Sequence, residues 1–112
     1  MSSTDTSTVL DRARDSAVLD MIGRTPLVRL HQCERESPGV ELYAKAEWQN
    51  PGGSVKDRAA SNIVAQARAS GKFSPGKTLL DSTSRITGIA YAMIAAAKGF
   101  TLTLFMPQNI SV

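Results

Sequence analysis

Hydrophobic and polar residues follow two different periods along this chain, and the switches between them outline its elements. Val40, Leu42, Ala44, Ala46 and Trp48 alternate with Glu41, Tyr43, Lys45 and Glu47, a period of two that predicts a half-buried strand. From Ser54 to Ser70 the period becomes helical. Ala60, Ile63, Val64 and Ala67 fall at i, i+3, i+4 and i+7 on one face, with Gly71 as the stop. Core packing is the role expected of Ile63 and Val64. After a loop over 72–77, Thr78-Leu79-Leu80-Asp81 predicts a short strand. Thr87 to Lys98 predicts a helix ended by Gly99, and Thr101 to Met106 a strand stopped by Pro107. Ala90, Ala92, Ala95, Ala96 and Ala97 are small enough to let that helix lie close against a sheet. Upstream, Val9 to Met21 predicts a short helix that Gly23 and Pro26 end, and Asn109 to Val112 reads as the entry to another helix.

The order β-α-β-α-β predicts an α/β fold with parallel strands joined by right-handed crossovers. Binding loops in such sheets gather at the carboxyl ends of the strands. Here those ends are the Gly52-Gly53 turn and the Thr83 to Gly88 loop, each leading from a strand into a helix whose N-terminus can receive an anion.

The first of these loops carries the most pointed chemistry. In Asn50-Pro51-Gly52-Gly53-Ser54-Val55-Lys56-Asp57-Arg58, proline fixes one backbone angle and two glycines permit a reversal. Ser54 followed by Asp57 fits the S-x-x-D start of a helix, which sets Lys56 in the first turn near the positive end. That field disfavours an ammonium, and a neutral lysine amine attacks carbonyls to form Schiff bases. The plain alternative is a solvated helix lysine. For Thr83, Ser84 and Thr87 the plain alternative is helix capping, which uses the same donors as carboxylate binding.

Composition narrows the setting. With 42% hydrophobic and 21% charged residues the chain is of ordinary globular type. Its single cysteine, Cys33, forms no internal disulfide, and one histidine with one cysteine gives no support to a zinc site. His31 beside Cys33 reads as a loop residue rather than half of a catalytic dyad. The net charge of +3 comes from interspersed acids and bases, so Arg12, Arg14, Arg24 and Arg29 among Asp11, Asp15 and Asp20 read as a solvated face. No basic run with interleaved aromatics suggests nucleic acid. The longest apolar run, Ile89 to Ala97, is too short for a membrane span of about 20 residues. Residues 1–8 are polar and lack a signal core, so the cytoplasm is the expected location.

Four segments, in order, resemble the fold type II pyridoxal-phosphate enzymes of the cysteine synthase and cystathionine β-synthase group: Ile22 to Leu30, Asn50 to Arg58, Leu80 to Ser84, and Thr87 to Ala90. The resemblance implies a tryptophan synthase β-like α/β fold, present here as a partial parallel sheet with flanking helices. Residues 1–15 would be a mobile tail and 16–112 the partial N-terminal domain, with the C-terminal remainder absent. It further implies pyridoxal 5'-phosphate as cofactor, held covalently by Lys56, which is also the catalytic base. The substrate would be a small amino acid whose carboxylate is bound by Thr83, Ser84 and Thr87. Family members are usually homodimers. Their activity is β-replacement on an activated serine to give cysteine.

The chain departs from the family at one point. Where members read Thr-Ser-Gly-Asn-Thr-Gly, this sequence has Thr83-Ser84-Arg85-Ile86-Thr87-Gly88. The asparagine hydrogen-bonds the cofactor's phenolic oxygen, which Ile86 cannot do, and arginine in place of glycine is expected to add bulk and backbone strain. Three readings therefore stand: a cysteine synthase-like enzyme, an inactive remnant or truncated product of that family, and a non-enzymatic interaction module.

Overall fold

The computed structural model describes residues 17–109. Residues 17–20 are helical and Met21 is in a turn; residues 9–16 of the helix expected over 9–21, the N-terminal tail and residues 110–112 lie outside the described residues. In chain order the elements are β1 (Leu27–Arg29), α1 (His31–Glu34), β2 (Tyr43–Lys45), a 3-10 turn (Glu47–Gln49), α2 (Lys56–Ala69), β3 (Leu79–Ser82), α3 (Ile86–Lys98) and β4 (Leu102–Phe105). β3 and β4 pair in parallel, from Leu79↔Leu102 to Ser82↔Phe105, with α3 as their crossover. Burial alternates along both strands, so each has one face covered and one open.

The first predicted strand differs from expectation. It does not join the parallel sheet but pairs antiparallel with β1, through Leu27↔Lys45, Val28↔Ala44 and Arg29↔Tyr43. It is also three residues long rather than nine. Only Ala44 and Ala46 of its expected inner face are covered, whereas Val40, Leu42 and Trp48 are exposed. The cause is local: the backbone curls into the 3-10 turn at Glu47, whose carboxylate is drawn into the network described below.

Both long helices end as their glycines dictate. Gly71 and Gly99 have φ of +73° and +71°, the left-handed conformation that a side chain disfavours. Gly99 N–H closes on the Ala95 carbonyl at 2.8 Å. The core is small and lies where α2 meets α3: Ala60 and Val64 pack with Ala90, Tyr91 and Ile94, and Leu79, Leu102 and Leu104 of the parallel strands complete it. Ile63, expected in that core, is half exposed, because the contact stripe runs through Ala60 and Val64 and leaves i+3 at its margin. Gly88 brings α3 close to the sheet. A Cβ there would stand 2.7 Å from Thr83 Cγ2 and 3.1 Å from Leu104 Cδ1. Burial and the Asp81 carboxylate push the Tyr91 phenol up, so it packs as a neutral side chain. Large apolar side chains elsewhere are uncovered, among them Leu27, Trp48, Leu80 and Phe105. No helix among the described residues is long and apolar enough to cross a membrane.

Candidate active site

Arg68, in the last turn of α2, stands 5.6 Å from the Phe73 ring centroid and 5.5 Å from that of Phe100, just beyond α3. The end of α2 therefore lies beside the residue that follows the end of α3. The Thr83 to Gly88 loop leaves the carboxyl end of β3, where Thr83 N–H donates to the Phe105 carbonyl at 2.9 Å. Contrary to expectation, the Gly52-Gly53 turn does not follow a strand of the parallel sheet: it comes after β2, which pairs with β1 in a separate sheet, and the 3-10 turn.

Lys56 is the first residue of α2, which begins one residue later than the Ser54 cap predicts. Val55 occupies the cap position without a side-chain bond. Ser54 Oγ accepts from Lys56 N–H at 3.2 Å, and Asp57 reaches backward so that Oδ2 accepts from Gly52 N–H at 2.6 Å. The Lys56 side chain is exposed and makes no hydrogen bond or ion pair among the described residues. Asp57 is 1% exposed, and its Oδ1 has no hydrogen-bond partner among the described residues. An alanine Cβ at Gly52 would lie 2.2 Å from that oxygen, so the turn needs glycine here for space. Gly53 needs it for conformation, with φ +88°.

Both flanks of this turn are tied to the same polar cluster. Arg58 presents a fork to Glu47, Nε to Oε2 at 2.9 Å and Nη2 to Oε1 at 3.0 Å. Nη2 also donates to Gly23 O at 2.9 Å and Thr25 Oγ1 at 3.0 Å. Asn50, 3% exposed, donates Nδ2–H to Glu47 O and Oε2 at 2.8 and 2.7 Å, while its Oδ1 accepts from Gly23 N–H at 2.8 Å. Thr25 Oγ1–H donates to Glu47 Oε1 at 2.9 Å. Gly23 is where Arg58 passes: a Cβ there would meet Nη1 at 2.8 Å. From the residue pattern Glu47 had only a strand position, and Thr25 and Gly23 no partner. The one available signal was that Glu47 and Arg58 bracket the turn with opposite charge.

The Arg58 guanidinium, with Asn50 and Thr25 assisting, holds the Glu47 carboxyl down at about 2 from its ordinary 4.5. A depressed carboxylate stabilises the fold above its unfolded value and loses that contribution as pH falls from about 4.5 toward about 2. Glu34, held at about 2 by Arg29 and the Leu42 N–H, titrates in the same window. Acid unfolding of Glu47→Gln against the parent chain isolates the Glu47 share. Below pH about 4 the difference between the two should shrink steadily, and a constant difference would contradict the pairing.

In the second loop, Thr83 is buried and its Oγ1 accepts from Gly88 N–H at 3.0 Å, the capping role foreseen for it. Ser84 is exposed and Thr87 partly buried at the second position of α3. The backbone N–H groups of Ile86 and Thr87 make no hydrogen bond among the described residues. Arg85 is not strained, contrary to expectation. Its φ of −174° is extended backbone that any residue adopts. Ile86 is about half exposed and offers no polar atom. His31 and Cys33 lie on the one-turn α1 rather than in a loop, with His31 Nδ1 3.5 Å from Glu34 Oε2 and Cys33 exposed. Among the described residues no His/Cys/Asp/Glu group could hold a metal ion. A cleft of about 690 Å³ opens around Arg68, Phe73, Lys77 and Phe100. Its Arg68 is stacked and its Lys77 Nζ donates to Lys72 O at 3.0 Å.

Residues 18–112 match the family described as pyridoxal-phosphate dependent enzyme, and the chain belongs to that family. It is 49% identical over 90 residues to cysteine synthase B of Salmonella typhimurium, covering 80% of this chain and 29% of the relative. It is 47% identical over 97 residues to O-ureido-L-serine synthase of Streptomyces lavendulae, covering 87% and 29%. Among solved structures, cysteine synthase from Entamoeba histolytica superposes with a TM-score of 0.79 at 41% identity, over 85% of this chain and 29% of that one. The chain thus spans about three tenths of the length of the relatives it matches.

Proposed function

We propose that this chain is the lysine-bearing part of a cysteine synthase-like enzyme that replaces the β-substituent of an activated serine with sulfide to give cysteine. The observation that carries the reading is the free Lys56 amine at the first residue of α2, on a turn fixed at both flanks. That amine fits the aldehyde of pyridoxal phosphate, which when bound supplies an electron sink for the carbanion formed at the substrate's α-carbon. Lys56 Nζ anchors the cofactor and, once free, takes the α-proton. Ser84 Oγ, Thr87 Oγ1, the second hydrogen-bonding capacity of Thr83 Oγ1 and the free N–H groups at the start of α3 bind the substrate carboxylate. In this reading residues 16–112 are one part of the domain, and the groups that hold the cofactor's phosphate lie outside them.

Ile86 favours a second reading, in which the chain retains the cofactor lysine but not turnover. It brings no hydrogen-bonding atom to the position where the family has an asparagine. Titrating the purified chain with pyridoxal phosphate separates the outcomes. A visible imine band that disappears in Lys56→Ala, with cysteine formed from O-acetylserine and sulfide, is the expected result. A band without cysteine supports the second reading, and an equal band in Lys56→Ala removes both.

A further inference from the structure

We infer that Glu47, Asn50 and Arg58 are positioning residues for Lys56, acting as a polar clasp that closes across the base of its turn. This rests on the cofactor role proposed for Lys56. Asn50 and Arg58 are the first and last residues of the Asn50 to Arg58 segment, so fixing both leaves only the intervening turn free to move. Both bind one carboxylate, that of Glu47. Both also bind one backbone residue from a distant part of the chain, Gly23, Asn50 through its N–H and Arg58 through its carbonyl. The result is a closed ring, Gly23–Asn50–Glu47–Arg58–Gly23, with Thr25 bridging Arg58 to Glu47 inside it.

Three features distinguish this ring from an ordinary surface ion pair. Every polar atom of the Asn50 side chain is used, and Asn50 is buried. The Arg58–Glu47 contact is a two-pronged fork rather than a point contact, which fixes orientation as well as distance. Gly23 leaves room for the guanidinium where any side chain would obstruct it. None of these groups touches Lys56, so their effect reaches it only through the backbone. The turn itself adds the bonds Gly53 N–H to Asn50 O at 2.8 Å and Gly52 N–H to Asp57 Oδ2. With the clasp closed, Lys56 Nζ starts from one backbone origin; with it open, the two glycines let that origin wander and the amine loses its fixed approach to a carbonyl.

The test compares the parent chain with Glu47→Gln, Asn50→Ala and Arg58→Lys by two readouts. Amide hydrogen exchange reads the turn without any cofactor. Borohydride trapping with limiting pyridoxal phosphate, followed by peptide mapping, reads the share of label on Lys56. Glu47→Gln and Asn50→Ala should speed exchange at residues 52–55 by about tenfold while residues 90–97 of α3 stay unchanged, and the Lys56 share should fall. Arg58→Lys keeps a charge for Glu47 but cannot also reach Gly23 and Thr25, so its values should fall between those of the parent and Glu47→Gln. Unchanged exchange at 52–55 overturns the clasp, as does acceleration shared equally by α3, which would make the ring a support of the whole fold. Absence of label on Lys56 in the parent instead removes the cofactor role, while the exchange data still decide the clasp.

Discussion

Gly52→Ala should destabilise the chain by about 2–3 kcal/mol and displace Lys56 at the same time. The new Cβ would sit 2.2 Å from Asp57 Oδ1 and 2.8 Å from its Cγ and Oδ2, distances that real Cβ atoms essentially never show. Asp57 is 1% exposed and cannot swing into water without opening the start of α2. Moving it breaks the 2.6 Å bond from Gly52 N–H, a charge-assisted bond that contributes about 1.5–3 kcal/mol. Because Asp57 follows Lys56 directly, the lysine moves with it. Gly53→Ala is the informative contrast: its φ is +88° but nothing lies within 4 Å of the added Cβ. That change should cost only the left-handed strain of about 1–2 kcal/mol. Urea unfolding of the two variants, with Gly52→Ala/Asp57→Ala as the space-restoring double, decides the matter. A Gly52→Ala penalty no larger than that of Gly53→Ala would mean that Asp57 adapts.

Ile94→Ala should have the larger effect on the fold itself, about 2–5 kcal/mol. Ile94 is 0% exposed and is the largest fully buried side chain among the described residues. It lies where α2, α3 and the parallel strands converge, so the vacated volume has few neighbours able to collapse into it. Against a typical domain stability of about 5–15 kcal/mol, that loss alone brings the chain near its folding threshold. Ile63→Ala removes the same atoms from a half-exposed position and should stay within about 0.5 kcal/mol. Equal midpoints for the two variants in thermal or urea unfolding would contradict the placement of the core between α2 and α3.

The contrast between these two isoleucines shows where periodicity reads well and where it stops. A helical period identified α2 and α3 and even their glycine stops, since Gly71 and Gly99 are needed for a local backbone reason. It could not tell which of Ile63 and Val64 points inward, because that depends on how α3 crosses α2. The strand expected over 40–48 failed for a non-local reason as well. Glu47 is recruited by Arg58, eleven residues on, and by Asn50 and Thr25, and the backbone turns early to deliver it. β1 was missed because Leu27 to Arg29, between Pro26 and Leu30, is too short to show a period. At the candidate site, the place of Lys56 in the first turn of α2 was legible because neighbouring residues set it. The Glu47–Arg58 ring was not legible, since four of its bonds join residues more than twenty positions apart and leave no spacing signature.

On the proposed function, Lys56 is the lysine that holds a carbonyl cofactor. The chain has four other lysines, Lys45, Lys72, Lys77 and Lys98. Lys45 Nζ donates to Thr25 O and Lys77 Nζ to Lys72 O, while Lys72 lies past the C-terminal end of α2 and Lys98 is the last residue of α3. The direct measurement is to incubate the chain with less than one equivalent of pyridoxal phosphate, reduce with borohydride and locate the pyridoxyl group by mass spectrometry of the peptides. The account predicts that the label concentrates on Lys56. Label spread evenly over the five lysines, or concentrated on any of the other four, would contradict it.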